Sequence, residues 1–353
     1  MKFEISTPLL QTVCSKLVKA VSSKDIIPSL KNFLISAEGN EIKIIAGDGA
    51  TYLEKYINSN SILEGGKTSV DGKDFTKLIS KINTDTVVIE TTNDNKLRIN
   101  AGKSKFHLKT IDANEYVYPE SLVPDVNDIE VNLLELKKAL KLASITVSKN
   151  ATEIYFTGYK IGKALMTTNR NNLTIYNIPI SLDDLLLTQD IVNLIYDLDG
   201  ETATISYTLD FIEIKTLGTR VLGNLLSGLE YFPGNDIMEQ FNYDKHVVIN
   251  KKELLPVLDR AMIFVKDLGA IQLKFENNVV KCSLLGTQDA DTYEEISYIG
   301  NLDMSVNLNV GMLYNICSSL DSEQIEMQLD SPEYPVVIKS GNYSCLMATM
   351  IVD

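Results

Sequence analysis

Apolar residues in this chain follow two periods in turn, and the sequence of periods occurs three times. From Phe3 to Val21 a short in-and-out alternation gives way to apolar residues at Leu10, Val13, Cys14, Leu17 and Val21. That order predicts a strand leading into a helix with one apolar stripe. The segments Ile129–Val147 and Val247–Val265 superpose on it without a gap. The matched positions are Ile5/Val131/Ile249, Leu10/Leu136/Leu254, Val13/Ala139/Val257, Cys14/Leu140/Leu258, Leu17/Ala143/Ala261 and Val21/Val147/Val265. A period of about 120 residues is too long for a solenoid and has the length of a domain.

A second pattern keeps step with the first. Phe75-Leu78-Ile79-Ile82, Ile191-Leu194-Ile195-Leu198 and Leu313-Ile316-Cys317-Leu320 share helical spacing, each before a strand ending near Ile89, Ile205 or Met327. Each repeat thus reads as strand, helix, strands, and then the same again, an α+β architecture. The predicted domains are 1–120, 127–243 and 244–353, each long enough to bury its own core.

Composition narrows the class. The 353 residues are 44% hydrophobic and 23% charged, ordinary for a globular protein. No apolar run reaches the ~20 residues of a membrane span. MKFEIST leads straight into a strand pattern, with no signal-peptide core expected. Cys14, Cys282, Cys317 and Cys345 lie far apart, and the pattern favours buried thiols of a reduced, cytosolic protein over a disulfide or metal framework. His107 and His246 stand alone, so no histidine metal site is expected. Phosphate-binding glycine loops, nucleophile elbows and paired metal-ligand motifs are all absent from the sequence. The acidic clusters read as solvated surface, so the expectation is a non-enzyme without cofactor or metal.

Charge adds one asymmetry. The net charge is −14, yet the first helix of every repeat is basic. Pro8–Lys24 carries Lys16, Lys19 and Lys24 and no acid. Asn132–Asn150 carries Lys137, Lys138, Lys141 and Lys149 against Glu135, and Asn250–Lys266 carries Lys251, Lys252, Arg260 and Lys266 against Glu253 and Asp259. One such helix is a solvated face; three in equivalent places suit a surface that holds a polyanion.

Several segments, in order along almost the whole chain, resemble the bacterial DNA polymerase III beta subunit family, the sliding clamps. They are MKFEI, Ile27-Pro28-Ser29-Leu30-Lys31-Asn32-Phe33-Leu34-Ile35, Ile44-Ile45-Ala46-Gly47-Asp48 and Gly102-Lys103-Ser104-Lys105-Phe106-His107-Leu108. Further along come Tyr155-Phe156-Thr157-Gly158, Thr167-Thr168-Asn169-Arg170-Asn171-Asn172-Leu173 and Tyr231-Phe232-Pro233. The resemblance implies the clamp fold: three domains, each two β-α-β-β-β modules with two helices packed on antiparallel sheets. It further implies a homodimeric ring around double-stranded DNA, held without sequence preference. The polymerase, the clamp loader and repair or translesion proteins would dock on it through short linear motifs of the Gln-Leu-x-Leu-Phe type.

Residue by residue, the resemblance and the chemistry nominate three sites. Lys16, Lys19, Lys24, Lys137, Lys138, Lys141, Asn150, Tyr155, Lys251, Lys252 and Arg260 are the DNA candidates. Phe156, Thr168, Arg170, Leu173, Pro233, Ile237, Met238, Leu346, Ala348 and Met350 would form the partner groove. Lys103, Lys105, Phe106 and Leu108 would meet Ile263, Phe264, Glu294 and Glu295 of a second copy, with Asp289 and Asp291 nearby. The chain also departs from the family. Arg170 stands where glycine is usual, which implies an added cation and a taste for acidic flanks. Ile351 removes a cation near the chain end. The second helices, Thr188–Asp199 and Asn309–Asp321, carry acids and neither Lys nor Arg, which points to a scaffold with reduced DNA loading as the alternative.

Overall fold

The computed structural model describes residues 1–22, 27–59, 61–119, 128–149, 152–180, 182–234, 236–265, 269–285 and 292–351. Among the described residues the α-helices are α1 (Thr7–Leu17), α2 (Gly72–Ile79), α3 (Leu133–Ala143), α4 (Gln189–Tyr196), α5 (Lys251–Met262) and α6 (Val310–Ser319). Their starts follow the sequence. Asp71, Thr188, Asn250 and Asn309 each cap a helix by accepting a backbone N–H, and Pro8 occupies the first turn of α1.

The first helix of each repeat buries the expected stripe. Leu10, Val13, Cys14 and Leu17 of α1 are buried, as are Leu136, Ala139, Leu140 and Ala143 of α3 and Leu254, Val257, Leu258 and Ala261 of α5. The fifth position of the stripe is a correction, because each helix stops one turn before Val21, Val147 or Val265. In all three, two i→i+3 hydrogen bonds close the end at equivalent residues: Lys19 and Ala20, Ile145 and Thr146, Ile263 and Phe264. This tighter winding satisfies the last carbonyls but shifts the next residues off the α-helical period.

The chain forms two compact units. One holds residues 1–134 and 188–225, the other 135–187 and 226–353. Among the described residues each contains one large antiparallel sheet, of thirteen strands in the first unit and twelve in the second. The first and third repeats are wired alike. Lys2–Ser6 pairs with Thr86–Thr92, and Lys245–Asn250 pairs with Gln324–Leu329. Asn32–Glu38, Glu41–Gly47 and Thr51–Asn58 form a meander, matched by Ala270–Glu276, Val279–Leu285 and Tyr293–Gly300. Thr86–Thr92, Lys96–Ala101 and Ser104–Ile111 form another, matched by Gln324–Leu329, Val336–Ser340 and Tyr343–Met347.

Sheets continue from one repeat into the next, which is why compactness does not follow the repeat. In the first unit Thr51–Asn58 pairs with Thr219–Asn224, Lys55 facing Thr219. In the second, Asn172–Tyr176 pairs with Tyr343–Met347, Tyr176 facing Tyr343. Helices α1 and α2 pack together in the first unit, and α5 and α6 in the second. All four cysteines are buried free thiols; burial pushes Cys14, Cys282 and Cys317 up to about 12 and Cys345 up to about 11, so none is a nucleophile at neutral pH. No helix of the described residues is long and apolar enough to cross a membrane.

Candidate partner groove and lysine-bearing helices

The second unit contains a groove of about 390 Å³. Its floor comes from strand ends that bury Leu173 and Leu346 in a cluster with Ala164, Met166, Leu186, Phe232 and Val337. One wall is the short helix Ile154–Thr157, in which Tyr155 and Phe156 meet edge to face with ring centroids 4.6 Å apart. The other is Pro233 and the short helix Ile237–Phe241. The rim is the turn from Thr168 to Asn172. There Asn169 Oδ1 accepts the N–H groups of Asn171 and Asn172 at 3.2 and 2.8 Å, and Arg170 is held at φ 75°. The first repeat builds the same turn with Asp48 accepting from Ala50 and Thr51, and it places Gly49 at φ 98°. A left-handed non-glycine residue costs about 1–2 kcal/mol, so Arg170 sits where the turn favours glycine.

Of the ten residues nominated for the groove, Phe156, Thr168, Arg170, Leu173, Pro233, Ile237 and Leu346 line it, together with Glu153, Tyr155, Asn171 and Asn172. Met238 packs against the cluster beneath. Ala348 donates its N–H to the Asn171 carbonyl at 3.1 Å, tying the chain end to the rim. Met350 is held away from the lining, its N–H donating to the Asn307 carbonyl at 2.8 Å. Tyr155, nominated for DNA, is drawn into the groove wall by the Phe156 and Tyr231 rings. Arg170 is not the unpaired cation its residue type suggests. Its guanidinium pairs with the Glu153 carboxylate and lies 5.5 Å from the Phe156 ring centroid.

The lysine-bearing helices carry an equally specific pattern. Lys16 of α1 donates to both carboxylate oxygens of Asp199 at 2.6 Å, and Lys19 donates to Asp197 at 2.7 Å. The buried Lys55 joins them, donating to Thr219 Oγ1 at 2.6 Å and Asp199 at 3.3 Å. Lys138 of α3 pairs with Asp321 at 2.6 Å and Lys252 of α5 with Glu323 at 2.8 Å. Hydrogen bonds from Lys16, Lys138 and Lys252 hold Asp199, Asp321 and Glu323 below the usual carboxylate range, so the pairs stay ionised at neutral pH. Lys251 turns its amine to the Ser318 and Leu320 carbonyls, capping the end of α6. Arg260 pairs with Glu294 beside the exposed Ile263 and Phe264, so it faces the nominated seam. Lys137 is engaged as well. Lys24, Asn150, Lys266, Asp289 and Asp291 lie outside the described residues.

The nominated seam residues lie on or beside the strands Ser104–Ile111 and Tyr293–Gly300, apart from Ile263 and Phe264, which follow the end of α5. In Ser104–Ile111 Lys105, His107 and Lys109 are exposed and Phe106 and Leu108 half-buried, the alternation expected of them; Lys103, in the preceding turn, is exposed. Ile263 and Phe264 leave 75% and 49% of their surface in solvent, and Glu295 is exposed.

A repeated pair of strand–helix–strand modules joined edge to edge into long antiparallel sheets defines the DNA clamp fold. Family models agree at both ends of the chain: the DNA polymerase III beta subunit N-terminal domain matches residues 1–120 and the C-terminal domain 241–351. The beta sliding clamp of Mycoplasma capricolum is 21% identical, the match covering 96% of each chain. Among solved structures, the DNA polymerase sliding clamp of Bacillus subtilis matches with a TM-score of 0.91 at 19% identity over 100% of both chains. The DNA polymerase III subunit beta of Pseudomonas aeruginosa matches at 0.89 and 19%, again over 100% of both. The chain therefore belongs to the DNA polymerase III beta subunit family, the sliding clamps. Its function is that of a processivity factor.

Proposed function

We propose that the chain works as a ring-shaped homodimer of three-domain subunits, with domains 1–120, 127–243 and 244–353. The ring encircles duplex DNA without reading sequence and docks the replicative polymerase, clamp loader and repair proteins through short linear motifs in the groove, in the cytoplasm at the nucleoid. Contact with phosphates and water alone lets such a ring slide, because base-edge contacts would hold it in place.

One observation carries the ring. Each junction between repeats joins the last strand of one meander to the last strand of another, and two such junctions lie within the chain. The strands left over are Ser104–Ile111 and Tyr293–Gly300. Among the described residues, 104–109 and 293–297 have a strand partner on one side only. Unpaired strand edges are templates for another chain, and these two complete the series if one copy's edge meets the other edge of a second copy. Carrying over the register of Lys55 against Thr219 sets Ser104 against Glu294 and Lys105 against Tyr293, with Glu295 two residues along on the same face as the diagonal neighbour of Lys105. Phe106, Leu108, Ile263 and Phe264 then supply apolar anchors, while the charges fix register.

The test is a charge exchange followed by sedimentation. Lys105→Glu or Glu295→Lys alone should weaken the dimer by roughly tenfold at low salt, a like-charge pair having replaced an attractive one. The double exchange should recover most of the loss. Additive weakening in the double variant would reject this register, and a dimer unaffected by all three would reject the seam. The ion-paired lysines favour one second reading, a clamp-like scaffold with reduced DNA loading, which retention on circular DNA separates from the first.

A further inference from the structure

The groove's charge is settled inside the protein. Glu153 precedes the short helix Ile154–Thr157, yet its side chain does not cap it. The carboxylate turns to Arg170 and buries the oxygen that faces the guanidinium. Arg170 comes from the tip of the opposite rim, where its N–H donates to Thr168 Oγ1 at 3.1 Å. Its side chain lies over the Phe156 ring and is still 54% exposed. Opening the pair would leave that one covered oxygen without a partner, so the pair holds together unless something replaces one member. This end of the groove therefore presents a neutral wall, beside an apolar floor of Leu173 and Leu346.

We propose that the Arg170–Glu153 pair determines which peptides the groove accepts: it selects apolar motifs whose flanks are uncharged and gives acidic or basic flanks no advantage. An incoming acid that took Arg170 would strand Glu153, and an incoming base that took Glu153 would strand Arg170 over Phe156. Either gain is offset by the partner left behind. Removing one member exposes the other and makes the groove charge-selective. This inference rests on the groove being a peptide site, and the test separates the two.

The probe is the peptide Gln-Leu-Ala-Leu-Phe, used unflanked and extended at either end by Asp, Asn or Lys. It is titrated against wild type, Glu153→Gln, Arg170→Gly and the double variant by fluorescence anisotropy. Glycine accommodates φ 75° without strain, so Arg170→Gly keeps the turn, and thermal melting checks each variant's fold. Wild type should bind all flanks within about threefold. Glu153→Gln should favour Asp over Lys flanks by about tenfold, the size of one charge-assisted hydrogen bond, and Arg170→Gly should favour Lys. The double variant should return to a flat ranking. If wild type already ranks the flanks by charge, or the single variants leave the ranking unchanged, the inference fails while the groove stands. If the unflanked peptide does not bind wild type, the groove reading fails and the inference with it.

Discussion

Glu54 is a fully buried carboxylate in the strand Thr51–Asn58, which also buries Lys55 and Thr51 among its apolar side chains. It accepts from Arg220 at 2.8 Å, from the hydroxyls of Tyr56 and Tyr118, and pairs with Lys43 at 3.1 Å. Arg220 also binds Glu213 and Tyr118, and Lys43 lies over the Tyr56 and Tyr118 rings. The network sits where Thr51–Asn58 meets Thr219–Asn224, so it locks that junction. Burial opposes the Glu54 charge, but the tyrosine hydrogen bonds and the Lys43 and Arg220 charges outweigh it and hold the group below its ordinary 4.5. With the folded value depressed, its stabilisation is complete above about pH 4.5 and is lost as pH falls through the folded value. Glu54→Gln should cost about 3 kcal/mol at pH 7, measured by urea unfolding, with the deficit shrinking towards pH 3. A deficit independent of pH would mean that packing, not charge, is lost. Nothing in the linear order marks this network, because Lys43, Glu54, Tyr118 and Arg220 meet only once the strands pair. Arg170 was legible as an anomaly for the same turn that needs Gly49, but its pairing with Glu153 was not, since that depends on two loops converging.

At the level of elements, the periodic stripes located all six helices and the strands before them, because burial of one face is written directly as spacing. Helix ends were less legible. Their tightened last turns depend on carbonyl satisfaction, which leaves no apolar signature. The meaning of the acidic second helices also needed geometry. Asp199 and Asp321, at equivalent positions after α4 and α6, do not merely dilute a basic surface. Each takes a lysine from a first helix, Lys16 of α1 and Lys138 of α3. Exposed pairs of this kind contribute little to stability, so a phosphate can displace the carboxylate, at the cost of part of its own attraction. Asp199→Asn with Asp321→Asn should therefore tighten binding to a short linear duplex by about tenfold at low salt. The log–log salt slope should steepen by about 0.9 for each phosphate newly neutralised. Unchanged affinity would mean that these lysines do not meet the backbone.

For the whole molecule, the threefold repeat was the most legible feature and the compact units the least. A repeat is read from residues that recur, whereas compactness follows hydrogen bonds between strands of different repeats, which recurrence does not specify. The same edge pairing leaves two strand edges open among the described residues, and the proposed ring rests on them. A ring has a property no groove or lysine confers singly: it is held on DNA by topology. The direct measurement assembles dilute protomers by concentrating them with a closed circular plasmid, then passes the mixture through gel filtration in high salt. The protein should travel with the circle and be released after a single restriction cut, since ends let a ring slide off. Equal loss from circular and cut plasmid, or equal retention on both, would contradict encirclement.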